Sequence, residues 1–90
     1  MAKTFLLEIV TPEKIFYTGE VELVVTRTLV GEEGFLANHV WACKLLDTGE
    51  LRFREAGSKE LRRADISGGL VDVHGDIVVF TDSAEWKEVS

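Results

Sequence analysis

Residues 66–86 read "ISGGLVDVHGDIVVFTDSAEW" and decide the fold. Two alternating runs, 70–74 and 77–82, flank Gly75-Asp76. Alternation with period two on either side of a Gly-containing pair is the pattern of an antiparallel hairpin. Taking Gly75-Asp76 as the turn pairs Val73 with Val78 and Val71 with Phe80, which builds an apolar inner face. The other face then carries Leu70, Ile77 and Val79 among Asp72 and His74, so it is apolar too, where a solvated sheet would be polar. Beyond the hairpin, "DSAEW" reads as the start of a helix.

Outward from this hairpin the same grammar recurs. Turn residues fall at Thr11-Pro12, Thr18-Gly19, Gly31 to Gly34, Asp47-Thr48-Gly49, Ala56-Gly57-Ser58 and Gly68-Gly69. Between them lie runs rich in Val, Leu, Ile, Phe and Thr, which predicts strands near 3–10, 14–18, 21–29, 41–46, 50–55, 60–66, 70–74 and 77–82. The class this pattern gives is all-β, with about eight short strands. The domain fills 1–84, with 85–90 as a short tail. A loop at Ala56-Gly57-Ser58 sets Phe53 against Leu61 and Arg54 against Glu60; a two-residue loop at Gly57-Ser58 would oppose Phe53 to Arg62 and mix the faces. In the first strand Phe5, Leu7 and Ile9 point inward while Leu6 and Val10 point outward around Glu8. Two strands with two apolar faces mean either a sandwich with covered edges or a docking surface, and the pattern leaves both open.

Composition narrows the function. At 90 residues there is one domain, with 46% apolar and 29% charged residues, ordinary for a folded protein. Sixteen Asp and Glu against ten Lys and Arg give a net charge of -6, which repels a phosphate backbone and argues against nucleic acid as a partner. The single cysteine, Cys43, rules out an internal disulfide and fits a reducing compartment. No apolar run reaches the roughly 20 residues of a membrane span.

Candidate chemistry is thin. His39 and Cys43 lie four apart, about 13 Å along a strand at about 3.3 Å per residue, too far for a nucleophile and its base. Cys43 therefore reads as a buried, inert thiol. Asp72, His74, Asp76 and Asp82 lack the spacing of a zinc or calcium site and read as solvated turn residues. "GEEG" (31–34) carries two carboxylates, which oppose anion binding, and reads as a tight acidic turn. Trp41 and Trp86 could each anchor a core or an interface. Neither a catalytic set, a cofactor site nor a metal site is expected.

Four stretches, "LEIVTPEKIFYTGEVE" (7–22), "GEEGFLANH" (31–39), "GELRF" (49–53) and "ISGGLVDVHGDIVVFTDSAE" (66–85), occur in order and spacing such that the chain resembles the N-terminal domain of the ε subunit of F-type ATP synthase. The resemblance covers nearly the whole chain. It implies an all-β fold, a flattened antiparallel β-sandwich of eight to ten short strands, on the central rotor stalk, gripping the γ subunit and seated on the c-ring. Its work would be to couple proton or sodium flow to ATP synthesis, at the inner face of the energy-transducing membrane and without catalysis of its own. By the same resemblance Glu32 and Glu33 contact the c-ring, and Thr11, His39, Lys44 and Ser67 contact γ. Ile77 and Val79 join the γ contacts through the outer apolar face of the hairpin.

The chain departs from the family where Ala37, Asn38 and Trp41 stand in place of the usual Pro-Gly before the histidine and Pro after it. Family members usually continue past "DSAE" into a helical hairpin that brakes hydrolysis, so a chain without it is expected to couple but not inhibit. The other readings are a free-standing β-sandwich module for a protein or small ligand, and a small Cys/His hydrolase. Whichever holds, Val73→Asp is expected to abolish the cooperative unfolding transition in urea, because it puts an unpaired charge on the inner face. Full stability would place Val73 on the outer face.

Overall fold

In a computed structural model, which describes residues 3–37 and 41–87, the chain forms seven strands. They are β1 (Phe5–Val10), β2 (Ile15–Thr28), β3 (Gly31–Leu36), β4 (Ala42–Glu55), β5 (Leu61–His74), β6 (Asp76–Phe80) and β7 (Ala84–Trp86). The strand order is β1-β6-β5-β4-β2-β3, with β7 on β5 and β1 also paired to β2. That last pairing closes five strands into a ring, which flattens into two layers within extents of 34 × 33 × 25 Å.

Three strands of 14 residues, β2, β4 and β5, run through both layers. Residues 15–21 of β2 pair with β1, and 23–28 pair with β3. Residues 61–67 of β5 lie beside 48–54 of β4 and beside β7, while 70–74 lie between β6 and 42–45 of β4. The breaks expected at Thr18-Gly19, Asp47-Thr48-Gly49 and Gly68-Gly69 therefore lie inside strands; β2 changes partner not at Thr18-Gly19, which pair regularly with β1, but at 21–23. Counting each long strand once per layer returns ten short strands, within the range that the resemblance implies. At the β5 bend Gly69 takes φ +120°, and a Cβ there would stand 1.9 Å from the Phe80 carbonyl oxygen. Only glycine lets β5 approach β6 this closely while turning between layers.

The core lies between the layers. Leu7, Ile9, Val24, Phe35, Leu51, Phe53, Val71, Val73, Ile77 and Val79 are all buried in it. This corrects the expected hairpin register. Gly75 stands alone at the tip with His74 opposite Asp76, so Val71 faces Val79, Val73 faces Ile77, and Leu70 faces Phe80. The reason is β1, which runs parallel to β6 and sets Leu7 beside Ile77 and Ile9 beside Val79. Ile77 and Val79 satisfy that neighbour only by facing inward, and the Leu6 N–H donates to Asp76 Oδ1 at 3.0 Å, pinning the start of the strand. Ile77, 1% exposed, and Val79, fully buried, are thus core residues and not the surface contacts expected of them.

The arginine hairpin also takes the register that the sequence argument rejects: Phe53 faces Arg62 and Arg54 faces Leu61. The faces do not in fact mix badly, because Arg62 is held over aromatic rings. Its guanidinium carbon sits 4.1 Å from the Trp86 ring centroid and 5.8 Å from that of Phe53. Phe16 and Tyr17 complete the cluster, with ring centroids 4.6 Å and 6.0 Å from Trp86. Trp86 belongs to β7, so the helical start expected at "DSAEW" is instead a short strand docked on β5. "GEEG" likewise belongs to β3, and the turn before it is Leu29-Val30.

Two measurements follow from this packing. Gly69→Ala should lower stability by about 3 kcal/mol or more, read from urea denaturation, since it adds both a backbone clash and a disfavoured φ. An unchanged midpoint would mean that β5 and β6 lie further apart. The sole tyrosine, Tyr17, donates to Glu55 Oε2 at 2.7 Å; burial, then that hydrogen bond and the Glu55 charge, push its phenol up from 10.0 to about 12. A raised folded pKa means stability that is complete below pH 10 and lost as pH climbs toward 12. Phenolate absorbance should therefore rise near pH 12, and nearer pH 10 in Glu55→Gln; coincident curves would dismiss the contact.

Candidate functional site

The two outer faces of the sandwich differ in chemistry. On the layer formed by β3, β7 and the adjoining halves of β2, β4 and β5, charges neutralise one another. Arg52 meets Glu32 at 3.0 Å, Arg54 meets Glu22 at 3.2 Å, and Glu50 gathers Arg63 at 2.7 Å and Lys87 at 3.0 Å. Hydrogen bonding from Lys87, ahead of Arg63 and Arg52, holds the Glu50 carboxyl below its ordinary value, and Arg52 does the same for Glu32. The same face also exposes Leu36 and Leu61 and, among the described residues, sets Asp65 opposite Glu85 without an ion pair, so it is mixed rather than apolar.

The layer of β1, β6 and the other halves of β2, β4 and β5 is different. Alternation that sends Leu7, Ile9, Val71 and Val79 inward sends Val10, Leu70 and Phe80 outward. Register places Ile15 beside Val10, Val10 beside Phe80, Phe80 beside Leu70, and Leu70 beside Leu45. Five strands thus contribute one apolar residue each to a stripe crossing the sheet, roughly 19 Å long at about 4.8 Å per strand. Leu45 is 59% exposed and Phe80 46%. The stripe runs on to the β2–β3 turn, where the Leu29 N–H donates to the Leu45 carbonyl at 3.3 Å. Leu29 and Val30 are 62% and 88% exposed. Beside the turn an open pocket of about 310 Å³ is lined by Thr28, Leu29, Val30, Lys44 and Leu45.

A second row behind the stripe holds Glu8, Val78, Asp72 and Cys43, and a third holds Glu20, Leu6, Asp76 and His74. Cys43 is exposed here, which corrects the buried thiol expected from sequence, because Lys44 and not Cys43 shares the inward parity of Val71. His74 Nδ1 lies 2.8 Å from Asp72 Oδ1, and the Trp41 ring packs on the imidazole with centroids 4.8 Å apart. Asp72 and His74 are strand residues. Among the described residues no group of three or more His, Cys, Asp or Glu is placed to hold a metal, and no helix is long and apolar enough to cross a membrane.

The residues expected from sequence are scattered around this face. Thr11 follows Val10, and its hydroxyl donates to the Lys14 carbonyl at 3.1 Å, at one end of the stripe. Lys44 lies at the other end, ion-paired to Glu33. Ser67 sits at the β5 bend, where its hydroxyl accepts the Ser83 N–H at 3.0 Å. His39 lies outside the described residues. Glu32 and Glu33 stand on β3, each engaged by a cation of this chain, rather than in an acidic turn. Sequence reasoning found Leu6, Val10 and Leu70 but missed Phe80, Leu45, Ile15 and the Leu29-Val30 tip. A signal for the tip was present: two consecutive large apolar residues directly before a glycine leave nowhere for both to be buried.

The closed sandwich thus presents one face rich in ion pairs and one crossed by an apolar stripe. A family model described as "ATP synthase, Delta/Epsilon chain, beta-sandwich domain" matches residues 4–87, and the chain belongs to that family. The ATP synthase epsilon chain of Alkaliphilus metalliredigens is 40% identical over 89 residues, covering 98% of this chain and 65% of its own length. That of Brevibacillus brevis is 39% identical over 80 residues, covering 88% and 60%. This chain thus spans somewhat under two thirds of either relative. A chain in the cryo-EM structure of Euglena gracilis mitochondrial ATP synthase, OSCP/F1/c-ring in rotational state 1, superposes with a TM-score of 0.86 at 26% identity, over 92% of this chain and 53% of that one.

Proposed function

We propose that the chain serves as the β-sandwich part of an ATP synthase ε subunit, a non-catalytic piece of the central stalk that couples ion flow to ATP synthesis. On this reading it binds the γ subunit and sits against the c-ring, peripheral to the membrane on its inner face. The observation that carries the reading is the apolar stripe Ile15–Val10–Phe80–Leu70–Leu45 on a member of the ε family. A rotor part must resist slipping, and a desolvated apolar patch resists shear through packing, without a catalytic pocket. Thr11 and Lys44 flank the stripe and keep their proposed place at the γ contact. Ser67 is engaged within its own bend and lies at its margin. The β2–β3 hairpin is the part proposed to meet the c-ring, through Glu32 and Glu33 on β3.

The test is co-purification with the γ subunit of a related ATP synthase, such as that of Alkaliphilus metalliredigens. The unaltered chain is expected to co-elute with γ on a sizing column. A Leu45→Ser, Phe80→Ser variant, which changes only exposed positions and should keep its melting temperature, is expected to elute alone. Co-elution of both would move the contact elsewhere on the sandwich, and absence of binding by the unaltered chain would remove the reading.

A further inference from the structure

We infer that the stripe receives a basic amphipathic helix of the partner subunit, laid across the strands with one large apolar side chain seated beside Leu29 and Val30; this rests on the docking reading above. The first ground is spacing. Successive strands present an apolar residue about every 4.8 Å, close to the 5.4 Å pitch of an α-helix, so positions three and four apart on about four turns meet the stripe in order. The second is the pocket at its end. Its volume of about 310 Å³ and its lining by Leu29, Val30 and Leu45 suit one bulky anchor, the kind of side chain that dominates binding when it is fully desolvated.

The third ground is charge. Behind the stripe, Glu8 and Asp72 in the second row and Glu20 and Asp76 in the third point to the same side of the sheet. Among the described residues none of these four forms an ion pair with a lysine or arginine; Asp72 meets only His74, and Asp76 receives the Leu6 N–H. Lys3 and Lys14 flank β1 in sequence, and Lys44, beside Leu45, is paired to Glu33. Among the described residues the opposite layer pairs Glu22, Glu32 and Glu50 with its own arginines and Lys87 and leaves Asp65 and Glu85 without an ion pair, whereas on this layer all four of these acids lack a lysine or arginine partner. A helix with leucine-like residues on one stripe and Lys or Arg along the adjoining flank would satisfy both rows at once.

Two synthetic helical peptides of about 18 residues test this, sharing one leucine stripe and differing only in a lysine or a glutamate flank. Binding is followed by amide chemical shifts of the labelled chain at low salt. The lysine peptide is expected to bind at least about tenfold more tightly, with shifts along β1, β6 and 42–45 of β4, and to lose that advantage in 0.5 M salt. A Glu8→Gln, Glu20→Gln, Asp72→Asn variant should erase the difference between the peptides. Leu45→Ser, Phe80→Ser should abolish binding of both, and Glu85→Gln on the opposite layer should change neither. Equal affinities in the unaltered chain, or shifts on the layer of β3 and β7, overturn the inference. If γ binds but the triple variant binds it equally well, the inference fails while the ε reading stands. If γ does not bind and the lysine peptide keeps its preference, the ε reading fails and the chemistry of the face remains.

Discussion

β1 is hydrogen-bonded on both sides, antiparallel to β2 and parallel to β6, and this double engagement is the constraint on which the rest of the domain depends. Without it the ring of five strands would open between β2 and β6, exposing Leu7 and Ile9, which have no accessible surface at all. Burying these two from water contributes on the order of 2 kcal/mol each. Their neighbours matter as much as their area: Leu7 beside Ile77 and Ile9 beside Val79 dictate which face of β6 turns inward. Once that parity is set, Val78 and Phe80 must face outward, and the docking face is a consequence of how the barrel closes.

That dependence explains what the sequence could and could not disclose. Alternation along 70–74 and 77–82 establishes a hairpin without reference to anything else, and the turn residues establish an all-β chain. Register is a different matter, because a shift of one residue across Gly75 exchanges Ile77 and Val79 for Val78 and Phe80 on the inner face. Four consecutive apolar residues, Ile77 to Phe80, fit either choice locally, and only β1, some seventy residues earlier in the chain, decides. The rejection of Phe53 opposite Arg62 failed for a similar reason: an arginine of inward parity is tolerated at an exposed strand end where aromatic rings lie beside it, and Trp86, 24 positions away, is the ring it meets. The Leu29-Val30 turn was misread because "GEEG" carries more obvious turn chemistry than the residues before it. Thr11 and Lys44 came from resemblance and do border the stripe, whereas nothing in the spacing of the chain pointed to them.

The two outer faces show how one sheet architecture separates stability from association. Glu50, with Arg52, Arg63 and Lys87 around it, ties β4, β5 and the end of β7 together. Across the sandwich, carboxylates that among the described residues have no lysine or arginine partner stand behind a row of leucine, valine and phenylalanine.

The passage of β2, β4 and β5 through both layers has a mechanical meaning. In a sandwich whose layers are joined only by loops, the layers can slide over one another at the cost of rearranging side-chain contacts, a soft direction of deformation. Here three covalent backbones cross the interface, and each is hydrogen-bonded to different neighbours on either side of its bend. Sliding would have to stretch those backbones or break ladders in both layers together. A force applied at Leu45 would pass into the opposite layer along the β4 backbone, and one applied at Phe80 would pass through the β6–β5 ladder to β5 and then along it, so the two layers would move together as a stiff block.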